Sequence, residues 1–501
     1  MSINFIPNDP AAGPKAPALR VQSKRADRPA SRSRFTFSGA SPEGIFTPGT
    51  PQFLFWQCRE AALDAVAAWE GSAGPHKKWQ GNRSSLPLRQ DRGEDLNAFY
   101  DRASFSFFHF AVNGKVFLSG ASTDVVAHEV GHGLLDSLRP QFFDVNYLEV
   151  GAFHEAFGDC NALLTALNDQ TTRQKLLAAT TNLRKRNFVE TTAEELSTGI
   201  RLVQPTHNAA EPRHAFNTLK FQIPSTLPDD GGPGKLINEV HSFGRVFTGC
   251  FWDLLANLFG ANTSKNEAGL LASAQLAGKI VIAGAKAAVV APRFLQSVGR
   301  AMVLADQSLH GGANRDHIRT AFLKHNILLG SNALLAPSMA LAGSAPKGAV
   351  LSAATRKDLL RRLGGERGSK LNVTRANVFG TEVVQAEHQR EVPLAGLDKS
   401  LRGVVALAHE PVTIGASGAG AAVMGAMPQA ADTEHEVQSF VKSLLEHDRI
   451  DFGKARKSAA SLAKAKAGAT HVVATVGGKK VLRRVRFHCA GQTCMGERLG
   501  G

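Results

Sequence analysis

Residues 124–136 read DVVAHEVGHGLLD, and the interpretation of the whole chain starts there. Val126, Val130 and Leu134 recur every four residues, a period that turns one apolar helix face toward a core, and the spacing predicts a helix over 122–138. His128 and His132 stand four apart. On a helix they share one face with Cβ atoms roughly 5–6 Å apart, close enough for two imidazole nitrogens to converge on one ion. Glu129 sits beside the first histidine. Zinc held by such a pair lowers the pKa of water toward ~7, and a neighbouring carboxylate can accept the released proton. Taken alone, H-E-x-x-H is only moderately specific, because the same pattern also occurs on plain solvent-exposed helix faces.

The next helix sharpens the reading. From Gly151 to Leu167, Phe153, Phe157, Cys160, Leu164 and Leu167 fall on one apolar face. Glu155 follows His132 by 23 residues and Asp159 stands four further on, so the two carboxylates share another face. A third protein ligand from Glu155 leaves one corner of a tetrahedral zinc open, as catalysis requires. Asp159 is placed to accept the second N–H of a ligand histidine and fix its tautomer.

With these two segments in view, DVVAHEVGHGLLD followed by GAFHEAFGD (151–159) resembles the zinc-binding core of the thermolysin-like (gluzincin) metallopeptidases, and the likeness extends over roughly residues 50–328. The resemblance implies that His128, His132 and Glu155 bind zinc and that Glu129 is the catalytic base. Asn97-Ala98-Phe99-Tyr100 is similar to the family's edge strand, which implies that Asn97 and Ala98 hold substrate backbone. Arg213, in RHAFN, falls at an arginine that contacts the ligand carbonyl. His241, in EVHSFG, matches the oxyanion-stabilising histidine. The implied fold is α+β: a thermolysin-like catalytic domain with a short β-containing N-terminal lobe, a mainly helical C-terminal lobe and the zinc site in the cleft between, followed by a small C-terminal α+β domain.

The chain departs from the family pattern at several places. His154 replaces the asparagine before the ligand glutamate. Asp124 keeps one position associated with Ca2+, but Ala166 stands where a second carboxylate is expected, so a double calcium site is doubtful. Asn146 occupies the simplest alignment of the family's tyrosine that assists the oxyanion, and the resemblance implies that part for Tyr147 beside it. Asp229, Asp230 and Glu239 all stand near enough in sequence to orient His241. No inhibitory propeptide is recognisable.

At 501 residues the chain should hold two or three domains, and 43% hydrophobic with 20% charged residues places it among globular proteins. The composition predicts a flexible basic arm over 1–45, a metallopeptidase domain over 46–328, an Ala/Gly/Ser/Pro linker over 329–350, and a domain of unknown role over 351–501. In the last of these, HVVATV-GG-KKVLRRVRF reads as a hairpin, Thr433 with Glu436 as a capping box, and the Gly-rich run 414–427 as a loop, since it lacks the G-K-S/T that cradles phosphate. No run of about 18 apolar residues suggests a membrane span. The N-terminus has no basic start followed by an apolar segment, which points to a cytoplasmic protein or export by a non-standard route.

Five scattered cysteines argue against a disulfide framework. Cys160 and Cys250 are expected to be buried thiols, while Cys489 and Cys494 could close a terminal loop in an oxidising compartment. The net charge of +15 suggests attraction of the basic ends to nucleic acid or another anionic surface. That supplies a competing expectation of a non-catalytic, metal-containing binding protein, against which Glu129, His241 and Arg213 all count. The histidines at 109, 207, 214, 310, 317 and 325 lack paired ligand spacing and are expected at the surface or in caps.

Overall fold

The computed structural model describes residues 2–329, 351–363, 365, 371–378, 381–417, 420–424, 430–456, 465–466 and 468–489. The expected linker therefore lies almost wholly outside the described residues, as do Cys494 and parts of the Gly-rich run. Elsewhere in that run the backbone is not a loop: Val404–Ser417 and Gly420–Met424 are paired strands.

The first 45 residues, expected to be a free arm, are built into the body. Strand β1 (Ser2–Phe5) pairs antiparallel with β2 (Arg20–Ser23) and buries Ile3 and Phe5. Strand β3 (Arg34–Phe37) buries Phe35. The basic residues that made this segment look like a tail meet carboxylates on helices of the body or at their caps: Arg20 with Asp169 at 2.6 Å, Arg25 with Asp64 at 2.5 Å and Arg28 with Glu70 at 2.8 Å. A few apolar anchors and paired charges thus hold a segment that has no periodic apolar pattern.

Helix α1 (Pro51–Ala73) begins with Thr50 accepting the Phe53 N–H and Pro51 in the first turn, the usual start chemistry. Strands β4 (Ser85–Arg89), β5 (Ala98–Tyr100) and β6 (Phe105–Phe107) follow, then the hairpin β7 (His109–Val112) and β8 (Lys115–Leu118). Helix α2 (Thr123–Leu138) is capped by Ser122, and after the single turn α3 (Gln141–Asp144) comes α4 (Leu148–Asn168), almost entirely buried. These two helices approach closely at glycines: a Cβ on Gly131 would lie 2.9 Å from Gly158 Cα. Next are α5 (Gln170–Ala179), β9 (Thr191–Thr192), α6 (Glu194–Val203), β10 (Arg213–His214), α7 (Val240–Ala261), α8 (Glu267–Ala287), α9 (Phe294–His310) and α10 (Arg315–Lys324). Asn314 precedes α10 without a side-chain cap bond; it donates instead to Asp306. Helix α8 is long and apolar enough to cross a membrane, but Leu270, Ala274, Ala277, Ile280 and Val281 are buried within the protein.

Beyond residue 351, helix Ala353–Arg362 leads into β11 (Leu371–Val378), β12 (Thr381–Pro393), β13 (Val404–Ser417) and β14 (Gly420–Met424). Helix Ala430–Glu446 and strands β15 (Ile450–Arg456), β16 (His471–Val476), β17 (Lys479–Arg484) and β18 (Phe487–His488) complete the chain. The helix starts before Thr433, so the expected capping box falls inside its first two turns instead of at its start. Strands β16 and β17 form the expected hairpin, with Gly477 and Gly478 at φ 56° and 83° in the turn. The sheet order is β11-β12-β13-β17-β16-β15, with β14 on β13.

Strand β18 leaves that sheet and joins the N-terminal one, whose order is β18-β5-β6-β4-β3. The main hydrophobic core is likewise shared: it runs from Phe5 through α2, α4 and α7 to Val437, Phe440 and Phe487.

Candidate active site

Helix periodicity and the Gly131–Gly158 contact bring α2 and α4 together with their polar faces opposed. His128 Nε2 lies 3.2 Å and His132 Nε2 3.7 Å from Glu155 Oε2. Two ligands each about 2.1 Å from a tetrahedral ion stand roughly 3.4 Å apart, so these separations match a zinc coordination edge. Ligand atoms of His128, Glu129 and His132 also lie within 4.8 Å of one another. All four side chains are at most 2% exposed. His132 Nε2, Glu155 Oε1 and both oxygens of Glu129 are buried without a hydrogen-bond partner. Orphaned lone pairs of this kind are costly unless a cation or water completes them, so the residues present fit a zinc ion.

The surrounding contacts orient the ligands. His128 Nδ1 meets Asp159 Oδ1 at 2.9 Å, and the same carboxylate oxygen accepts from Arg213 Nε at 2.9 Å. The His128 ring packs directly on Gly158, where a Cβ would come within 2.7 Å. Burial opposes charge on His128, yet Asp159 and Glu155 outweigh it and raise its pKa. Burial, reinforced by Glu155 and opposed by His128, lifts Glu129 to about 8. His132 Nδ1 meets His154 Nδ1 at 2.9 Å. The departure at position 154 therefore supplies a hydrogen-bond partner for His132, a role that sequence spacing gave no reason to assign.

His241 opens α7 and points its Nε2 3.3 Å from Glu155 Oε2. Among the three acids considered for orienting it, Glu239 does so: its carboxylate caps the helix through the N–H groups of His241 and Ser242 and meets His241 Nδ1 at 2.6 Å. Asp229 instead bonds Asn238 and Lys442. Burial would strip His241 of its proton, but Glu155 and Glu239 prevail and hold its pKa at about 9. Arg213 is kept firmly charged, against the cost of burial, by Asp159.

Asn97 and Ala98 lie at the start of β5 beside this centre, with the Asn97 side chain accepting the Ala98 N–H at 2.9 Å. Tyr147 is not with them. It precedes α4, buried, with its hydroxyl donating to the His409 carbonyl at 3.3 Å, so the structure does not place it over the zinc ligands. His325, expected at the surface, is fully buried between Asp253 and the Leu219 carbonyl.

A second acidic group was only partly legible. Asp124 faces Asp9 and Glu194, with ligand atoms within 4.8 Å of one another. Asp9 comes from the segment expected to be an arm, which is why no spacing rule joined it to Asp124. Burial pushes all three carboxyls upward, Glu194 to about 10.

The sequence profile of the fungalysin metallopeptidase family matches residues 103–333. An extracellular metalloproteinase 10 of Coccidioides posadasii (strain C735) is 29% identical over 218 residues, which is 41% of this chain and 30% of that protein's own length. The chain thus spans about a third of the relative it matches. The region that carries His128, His132 and Glu155 is thus similar to the fungalysin metallopeptidases, a thermolysin-like, gluzincin family.

Proposed function

We propose that this chain is a zinc-dependent endopeptidase that hydrolyses peptide bonds without a covalent enzyme intermediate. The observation that carries the reading is the pair of unpartnered Glu129 oxygens beside the convergent His128, His132 and Glu155 atoms. When bound by those three ligands, zinc supplies Lewis-acid chemistry that polarises a carbonyl and acidifies water. Glu129 removes a proton from the attacking water and delivers it to the leaving nitrogen. Protonated His241, oriented by Glu239, donates to the oxygen on which charge develops. Asn97, Ala98 and Arg213 hold the substrate extended along β5. A hydrophobic residue after the cut bond suits the apolar surroundings.

The reading includes a β-containing lobe ahead of α2, a helical lobe after it and the site in the cleft between, with the C-terminal α+β part as an added unit. It also includes export from the cell, which is what the name of the Coccidioides relative says of that protein. The test is metal analysis paired with casein hydrolysis. The wild-type chain is expected to bind one zinc per chain. Glu129→Gln should keep that zinc and lose a factor of about 10²–10⁴ in turnover. Full activity in Glu129→Gln, or wild-type protein without bound zinc, would overturn the assignment.

A further inference from the structure

The substrate cleft is already filled by the chain itself. Strand β18 adds to the free edge of β5 in antiparallel register, His488 opposite Phe99 and Phe487 opposite Tyr100. The contacts continue through three successive backbone groups. The His488 carbonyl accepts from His241 Nε2 at 2.5 Å, the Cys489 N–H donates to the Ala98 carbonyl at 2.8 Å, and the Cys489 carbonyl accepts from Arg213 at 2.8 Å. His241 is the group proposed to meet the reacting carbonyl, and Ala98 and Arg213 are two of those proposed to hold the peptide; here they meet the two sides of the His488–Cys489 bond. Main-chain pairing to a sheet edge is how extended peptides are recognised regardless of sequence.

Side chains lock the segment in place. The Phe487 ring stacks on His154 at 4.0 Å and on His132 at 4.9 Å. Cys489 is fully buried, its Sγ 3.7 Å from the Arg213 guanidinium. The space left beside Glu155 and His241, bounded by Phe440, Arg484 and Phe487, amounts to about 20 Å³, no more than a single water requires. No second peptide can enter while β18 is seated.

We propose that residues 487–489 are an internal substrate: the C-terminal region keeps the cleft closed to other proteins, and the His488–Cys489 bond is the first one cut. This rests on the peptidase reading. Hydrolysis adds the hydroxyl of water to the His488 carbonyl carbon and a proton to the Cys489 nitrogen, so the products are residues 1–488 and 489–501. No further reactant is needed.

The experiment uses the full chain, wild type and Glu129→Gln, purified without metal and then given zinc. Intact-mass spectrometry is expected to find residues 1–488 and 489–501 in the wild type and neither in Glu129→Gln. A zinc-loaded wild type that digests casein while its own His488–Cys489 bond stays whole overturns the proposal and leaves the peptidase reading standing. If zinc binds but neither casein nor the chain is cut, the peptidase reading fails and cleavage with it. Occupancy of the cleft is then judged separately, by iodoacetamide labelling of Cys489 in Glu129→Gln. Protection there, with labelling at least tenfold faster after Phe487→Ala, supports the seated strand. Labelling as fast as in the urea-unfolded chain overturns it.

Discussion

Glu239 sets the charge of His241 from two residues away, because one carboxylate both caps α7 and bonds the imidazole. Glu155 and Glu239 hold the proton on His241 beyond the usual imidazole range, so a reaction that needs it as a donor fails as pH rises. Glu239→Gln removes one of the two carboxylates responsible. The alkaline limb of the pH–activity profile of the opened enzyme should move down by roughly one unit, while zinc content stays unchanged. Glu194 behaves in the opposite sense for stability. With its folded-state pKa raised to about 10 by burial and by Asp124 and Asp9, the folded protein favours the protonated acid. Stability is then fullest below the ordinary glutamate range and is lost as pH climbs from there toward 10. In chelator-containing buffer at pH 8, Glu194→Gln is expected to stabilise by about 1–3 kcal/mol, read as a higher melting temperature, with the gain disappearing near pH 4.

The helix pair α2 and α4 was the most legible part of the chain. Apolar spacing located both helices and put His128, His132, Glu155 and Asp159 on facing sides, because helical period alone dictates which residues share a face. What spacing could not convey was how near the helices come. That depends on the close approach of Gly131 and Gly158, whose partners across the helix pair no spacing specifies. Gly158→Ala would drive a methyl to within 2.7 Å of the His128 ring. The expected result is a loss of about 1–3 kcal/mol from overpacking and a zinc affinity weaker by roughly 10–100-fold, as when a ligand's supporting contact is lost. Titration against a zinc chelator measures the second effect, and unchanged affinity would show that the ring has room to shift. The N-terminal strands were missed for the converse reason: β1 and β2 carry few apolar residues and owe their place to Arg20, Arg25 and Arg28 pairing with distant carboxylates. Such pairings have no period. The seating of β18 on β5 was not legible for a related reason, since its ladder and the Cys489 bond to Ala98 are made by backbone atoms that every residue possesses.

Across the whole molecule, the boundaries suggested by composition do not coincide with the packing. Val437, Phe440, Leu482 and Phe487 share one core with α2, α4 and α7, and Tyr147 and Asp144 bond the C-terminal strands across the divide. Domains joined only by a linker melt separately, whereas parts sharing a core melt together. Differential scanning calorimetry of the intact Glu129→Gln chain should therefore give one transition, with calorimetric and van't Hoff enthalpies equal. Two resolved transitions would mean that the shared core contributes little.

The bond between the Cys489 N–H and the Ala98 carbonyl also limits what the opened enzyme can digest. Any residue standing where Cys489 stands has to offer a hydrogen there, and an imino acid has none. A peptide series varied at that one place should show hydrophobic residues favoured and proline alone refused outright, and that refusal would come from the backbone of β5 rather than from the shape of a side-chain pocket.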